Sequence, residues 1–171
     1  GVYQGLRVLD VSDPAAPLEV GSYDIPQSTR DVTVSGDTVY LIGDSGYPDY
    51  ETWLWALDVS VPTDPIELGS CELSDPVLGL GVMGGGAGHD AEMIVRGDTA
   101  YVADSRFGLY VLDVHDPIDP TVVGTYSTEG RPLHVTVDDG RAYVLGDVGF
   151  PDPEGWLRVI DVLDGVTPSL V

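Results

Sequence analysis

One string recurs through this chain at nearly fixed spacing, and it restricts the fold more than any other feature of the sequence. LRVLDVSDPAAPLEVGSY (6–23) returns as LWALDVSVPTDPIELGSC (54–71), as LYVLDVHDPIDPTVVGTY (109–126) and, cut short, as LRVIDVLDGVTPSLV (157–171). A second string stands in the gaps: DVTVSGDTVYLIGD (31–44), EMIVRGDTAYVAD (92–104) and HVTVDDGRAYVLGD (134–147). Each block holds two short runs rich in β-branched and aromatic residues, interrupted by Gly, Asp or Pro, which is strand chemistry. No stretch carries the apolar period of an amphipathic helix. Four short strands per repeat make a propeller blade. The expected fold is all-β: a β-propeller of four-stranded antiparallel blades, with about three and a half blades present. The expected divisions of this single partial domain, 1–171, are a half blade at 1–26, a blade at 27–75, a blade at 76–130 with a Gly-rich insertion at 74–91, and a blade at 131–171.

The connections between strands differ in a way that bears on function. Let A, B, C and D be the strand positions of one blade. From the Asp of C to the Gly of D the step is 11 residues each time: Asp10 to Gly21, Asp58 to Gly69, Asp113 to Gly124. From A to B it is always 6: Val34 to Tyr40, Val95 to Tyr101, Val137 to Tyr143. The B–C step varies between 14 and 8, and the D–A step between 8 and 21. In an up-and-down blade the A–B and C–D turns share one face, and the B–C and D–A loops share the other. All length variation therefore falls on one face, the pattern expected of a binding face. The other face carries tight turns such as SDPAAP (12–17), read as structural. Gly21 and Gly124 beside those turns are candidates for left-handed backbone.

Charge excludes one class of partner. The chain carries a formal net charge of −22, with 29 acidic and 7 basic residues, all of the latter Arg; Lys and Asn are absent. Such a surface repels phosphate backbones, so nucleic acid is not an expected partner. A high-salt habitat, GC-rich coding and cation binding each account for the excess. No apolar run approaches the length of a membrane span. Cys71 stands alone, so no disulfide forms within these residues. The sequence opens directly into a strand pattern, and is taken as a piece of a longer chain whose remaining blades are partners of this one.

The strings GLRVLDVSDPAAPLEVGSY and GLYVLDVHDPIDPTVVGTY, with RDVTVSGDTVYLIGD, resemble the LVIVD-repeat β-propellers. The resemblance covers nearly the whole chain. Its core joins a strand, a Pro-bounded turn and a strand at fixed spacing. Two departures stand out: the 72–91 insertion, and a last copy reading Asp164 then Gly165 where the others have a DP or TDP turn. The resemblance implies secreted or cell-surface proteins with no agreed enzymatic activity.

Several motifs imitate catalysis. GDSG (43–46) resembles a serine nucleophile loop, but the matching loop reads GDVG (146–149), with Val148 in place of Ser45. A residue interchangeable with Val fills a turn. Gly79, Gly81 and Gly84 fit GxGxxG, yet no strand–helix unit surrounds them, so no dinucleotide is expected.

Two groups remain as candidate sites. Asp31, Glu92 and His134 share one register at the start of strand A in successive blades, where the variable face meets the channel; His89 and Asp90 lie just upstream. Two carboxylates and an imidazole form a metal-ligand set at this channel mouth, unless each polar group instead bonds a neighbouring blade's backbone. The second group is a loop duplicated 103 residues apart, GDSGYPDYETWL (43–54) and GDVGFPDPEGWL (146–157). It supplies Asp44, Asp49, Glu51 and Trp53, then Asp147, Asp152, Glu154 and Trp156. Oxygen ligands on a turn-rich loop suit Ca2+, although Asx turns explain the same residues. The aspartates are expected to be exposed, and a Trp beside them would suit a sugar ring.

Three functions compete. The first is a non-enzymatic module presenting loops on one face for extracellular or cell-surface recognition of a protein or carbohydrate. The second is a metal-dependent, hydrolase-like enzyme at the channel mouth. The third is a calcium-stabilised carbohydrate- or protein-binding domain.

Overall fold

The computed structural model describes residues 5–45, 51–73, 90–148 and 154–171. Among them are fourteen strands and no helix, hence no helix long and apolar enough to cross a membrane. β1 (Gly5–Asp10) and β2 (Leu18–Asp24) form a two-stranded sheet. Three four-stranded sheets follow. The first holds β3 (Ser28–Ser35), β4 (Thr38–Asp44), β5 (Thr52–Asp58) and β6 (Ile66–Leu73). The second holds β7 (Ala91–Arg96), β8 (Thr99–Asp104), β9 (Gly108–Asp113) and β10 (Thr121–Tyr126). The third holds β11 (Arg131–Asp138), β12 (Arg141–Asp147), β13 (Gly155–Asp161) and β14 (Ser169–Leu170). Every pairing joins consecutive strands antiparallel, so each sheet is an up-and-down blade. The fold is a partial β-propeller, as the repeat requires, and β1–β2 are the C and D strands of its first blade.

The cores lie between blades. Strand alternation sends one set of side chains forward and the other back, and successive sheets close on each other. Tyr40, Ile42, Leu54 and Ala56 of the first four-stranded blade pack with Met93, Val102, Tyr110 and Leu112 of the second. Tyr101, Ala103, Leu109 and Val111 pack with Val135, Val144 and Ile160 of the third. Leu6 and Ile25, beside β1–β2, pack with Val39, Leu41, Trp55 and Leu57. Cys71 borders the first of these cores, and its burial, with a smaller contribution from Asp119, pushes the thiol up to about 12. It stays protonated and unreactive at neutral pH.

The end carrying the fixed-length turns is built from local bonds. Asp10, Asp58, Asp113 and Asp161, each the last residue of strand C, accept the amide two residues on: Ser12, Ser60, His115 and Leu163. Asp13, Asp116 and Asp164 repeat this inside the turn. The amides of Val59, Val114 and Val162 then bond the A–B turn carbonyls of Asp37, Asp98 and Gly140. The A–B turns themselves place Gly36, Gly97 and Gly140 at φ of +61, +59 and +71°, which only glycine adopts without cost.

The strand-D glycines correct an expectation. Gly21, Gly69 and Gly124 do not have positive φ. They are glycine because the next blade's C–D turn lies on them. A Cβ at Gly21 would stand 2.0 Å from the Pro62 carbonyl oxygen, one at Gly69 2.2 Å from that of Ile118, and one at Gly124 2.9 Å from that of Gly165. Each follows a bulge residue, Val20, Leu68 or Val123, at which the C–D register slips.

Candidate functional site

The inner strands β3, β7 and β11 lie side by side, and this brings the register-matched trio into a row. Asp31 accepts the amide of its own neighbour Val32 at 2.8 Å and that of Met93 on β7 at 2.7 Å. Glu92 meets His134 Nδ1 on β11 at 2.5 Å, both side chains partly exposed. Asp31 and Glu92 thus each reach one blade onward, so the trio makes two blade-to-blade links. The three do not turn to a common point: Asp31 is committed to two amides, and the other two hold each other. Among the described residues no three His, Cys, Asp or Glu side chains come together as a metal site. The expected ligand set Asp31, Glu92 and His134 is therefore divided into interblade bonds. His89, the other imidazole proposed here, lies outside the described residues.

Strand B ends on an Asp in every full blade: Asp44, Asp104 and Asp147. The expectation of exposed loop carboxylates fails here. Asp44 is 1% exposed and Asp104 fully buried, while Asp147 is part-buried. An ionised carboxylate in such a place needs partners. Arg30 brings Nε to within 2.5 Å of Asp44. Arg131 grips Asp147 with two bonds of 2.9 Å, from Nε and Nη2. The Arg131 guanidinium is held above its ordinary pKa, first by the hydrogen bond it donates to Asp147 and also by the charges of Asp147 and Asp90. Asp104 accepts the Thr52 hydroxyl from the preceding blade at 2.7 Å and the Arg106 amide at 2.8 Å.

These clamps sit at the bases of the variable loops. In the two long-loop blades the loop is pinched shut by backbone: Ser45 N to Glu51 O at 3.0 Å, and Val148 N to Glu154 O at 3.1 Å. Ser45 Oγ also accepts the Glu51 amide at 2.9 Å. Val148 has no acceptor for such a bond and keeps only the backbone pinch, so the hydroxyl of Ser45 serves its own turn. In the short-loop blade, Asp90 and Ser105 exchange bonds: Asp90 N to Ser105 Oγ at 3.0 Å, and Ser105 N to Asp90 O at 2.9 Å. Asp90 thus closes the base of the Gly-rich insertion. Glu51, Asp90 and Glu154 are exposed at these rims. Asp49 and Asp152, the loop-tip carboxylates of the calcium expectation, lie outside the described residues.

The two loop tryptophans do not form open platforms. Trp53 stacks on Trp55, centroids 6.3 Å apart, against the β1–β2 core. Trp156 borders the next core; its ring covers Gly146 and Gly130, and Arg158 lies 4.4 Å over its centroid. Among the described residues neither buried indole Nε1 finds a hydrogen-bond partner. The tryptophans are part-buried and pack on the blade cores at the feet of the loops.

Sequence reasoning missed Arg30, Arg131 and Thr52. A signal was present. Arg stands just before the strand-A pattern in the two blades with long loops (RDVTV, RPLHV) and is absent from the short-loop blade (HDAEMIV). Each basic residue accompanies the loop whose base it clamps.

A search of curated proteins finds no match to this chain. The family model for the LVIVD repeat matches it at residues 2–25, 26–72 and 87–128. Those stretches cover well over half of the sequence and coincide with the strand pairs and turns described above. The chain belongs to the LVIVD-repeat family.

Proposed function

We propose that this chain is a non-enzymatic propeller module whose variable-loop face recognises a carbohydrate or protein ligand outside the cell or at its surface. One observation carries the reading: length variation is confined to the blade ends at Asp44, Asp104 and Asp147, where each loop base is separately clamped. The opposite end is occupied by Asx turns and backbone bonds that leave no room for variation. Rigid bases under variable loops are how a scaffold presents recognition segments without disturbing its core. The extracellular setting follows the family resemblance. Calcium, if used, would belong to Asp49 and Asp152 with the rim residues Glu51 and Glu154.

A loop exchange tests the proposal. Residues 45–51 and 148–154 are each replaced by the short connection of residues 105–107, and both proteins are applied to a glycan array. The expected result is binding by the intact chain that the exchanged protein loses, with an unchanged melting curve. Equal binding by both would sink the reading. Calorimetric titration with calcium on the intact chain and on an Asp49→Ala, Asp152→Ala double variant checks the cation component; heat that persists in the variant removes calcium from these loops.

A further inference from the structure

Each A–B hairpin turns through two residues. Ser35 pairs with Thr38 around Gly36 and Asp37, Arg96 with Thr99 around Gly97 and Asp98, and Asp138 with Arg141 around Asp139 and Gly140. The third turn has the order of glycine and aspartate reversed. Gly36 and Gly97 have left-handed backbone, and a Cβ at either would meet nothing within 4 Å. Asp139 takes the same place at φ +44°, and among the described residues no other side-chain-bearing residue has positive φ. The position has room for a side chain, so its penalty is the backbone strain of an L residue. Gly36, Asp37, Gly97 and Asp98 are exposed although another blade follows theirs, so the exposure of Asp139 belongs to the turn itself.

The reversal changes the chemistry open to the turn. An aspartyl carboxyl is attacked by the next residue's amide nitrogen when that residue is small, its nitrogen is not held and the carboxyl is free to rotate. The chain has no Asn, and four aspartates precede Gly or Ser: Asp44, Asp104, Asp139 and Asp164. In three of them the following nitrogen is tied: Ser45 N to Glu51 O at 3.0 Å, Ser105 N to Asp90 O at 2.9 Å and Gly165 N to Val162 O at 3.1 Å. Their carboxylates are held as well, by Arg30, Thr52 and Thr167. Among the described residues the Gly140 amide has no acceptor and the Asp139 carboxylate no donor.

We propose that Asp139 is a modification site, converting spontaneously to isoaspartate in the folded protein. Gly140 N bonds to Asp139 Cγ; the carboxyl OH and the amide proton depart as water, closing a cyclic imide. Water then adds to the former main-chain carbonyl carbon of Asp139, and that carbon's bond to nitrogen breaks. The chain now runs through Cβ and Cγ, and the old carbonyl becomes a free carboxylate. The water lost is regained, no other reactant is needed and the charge is unchanged. The hairpin gains one backbone atom beside the Gly140 carbonyl, which accepts the Val162 amide at 2.9 Å and ties the A–B turn to the C–D turn. Conversion therefore loosens that tie. This inference is independent of the recognition proposed above.

The test is to hold the folded chain at mildly acidic pH near physiological temperature for several weeks. Samples are assayed with an isoaspartyl carboxyl methyltransferase and labelled S-adenosylmethionine, and peptide mapping locates the product. Methyl acceptance should grow with time and map to Asp139, well ahead of Asp164. A double variant, Asp139→Gly with Gly140→Asp, restores the order of the other two turns at unchanged composition. It should stay at baseline with a melting temperature no lower than that of the wild type. Asp139→Gly alone takes its place should the double variant alter the circular dichroism spectrum. In converted protein the Val162 amide should exchange with solvent faster, while those of Val59 and Val114, bonded to Asp37 and Asp98, stay protected. Absence of isoaspartate at Asp139 overturns the proposal. So does equal conversion at Asp139 and Asp164, which would make the unfolded chain the reactant, or methyl acceptance that persists in the double variant. Unchanged protection of Val162 in converted protein overturns the loosening of the turn.

Discussion

A single carboxylate can belong to a loop in sequence and to the core in space, and Asp44 is that case. Its neighbours Gly43 and Ser45 look like turn residues, yet β4 runs through it and Arg30 meets it where it is buried. Removing it would leave the Arg30 guanidinium without its charge partner. Asp44→Ala is expected to cost about 2 kcal/mol in urea unfolding, the scale for a broken buried charged hydrogen bond. Thr52→Val should cost a similar amount, roughly 1–3 kcal/mol, by withdrawing a donor from buried Asp104. Asp24, bonded to Arg7 at 2.7 Å but largely exposed, supplies the contrast: Asp24→Ala should stay within about 0.5 kcal/mol. Equal losses at Asp44 and Asp24 would contradict this ranking. The register of Asp31, Glu92 and His134 was legible because the repeat supplies it. The bonds they make were not, since a bulge before Asp31, another before His134 and none in β7 decide where each side chain points.

At the level of strands and turns the sequence was most legible, because period and spacing carry the information. Strand runs, fixed turns and variable connections could all be read from repeated strings. Less visible was that the fixed turns hold themselves by carboxylates at their ordinary work. Asp58 is kept below its usual 3.8 by the side chain and then the backbone of Ser60, and Asp10 is lowered by the backbone and then the side chain of Ser12. Asp164 is lowered by Thr167 and Val166. A carboxylate with a lowered folded-state value contributes stability that is fully present above the ordinary value and is lost as pH falls through the lowered one. Melting temperature should therefore decline as the pH drops below 3.8. Asp58→Asn keeps an acceptor oxygen for Ser60 and should retain stability at neutral pH while flattening that decline. Asp58→Ala should lose stability at neutral pH. Identical acid profiles in wild type and Asp58→Asn would remove this turn from the explanation.

Over the whole molecule, charge and shape pull in opposite directions. Seven arginines face 29 acidic residues, and several of those arginines are already bound into blades: Arg7 to Asp24, Arg30 to Asp44, Arg131 to Asp147. The remaining negative charge repels itself and works against compactness. Raising salt from about 0.1 M to about 1 M shortens the screening length from ~10 Å to ~3 Å. The melting temperature should rise over that range, and a flat response would show that the charge is already neutralised locally. Side-chain cores, by contrast, differ at each blade junction: Trp55 in one, Tyr110 in the next, Arg158 at the matching place in the third. What does not differ is the contact at strand D, where the main chain of a turn rests directly on the main chain of a glycine. A side chain can change rotamer or be exchanged for another, but two backbones in contact can neither shrink nor yield. The distance between neighbouring outer strands is thus set by atoms that mutation cannot alter, short of replacing Gly21, Gly69 or Gly124 themselves. The array has a mechanical stop at every joint, and its interior can drift in sequence without changing the pitch at which one blade follows another.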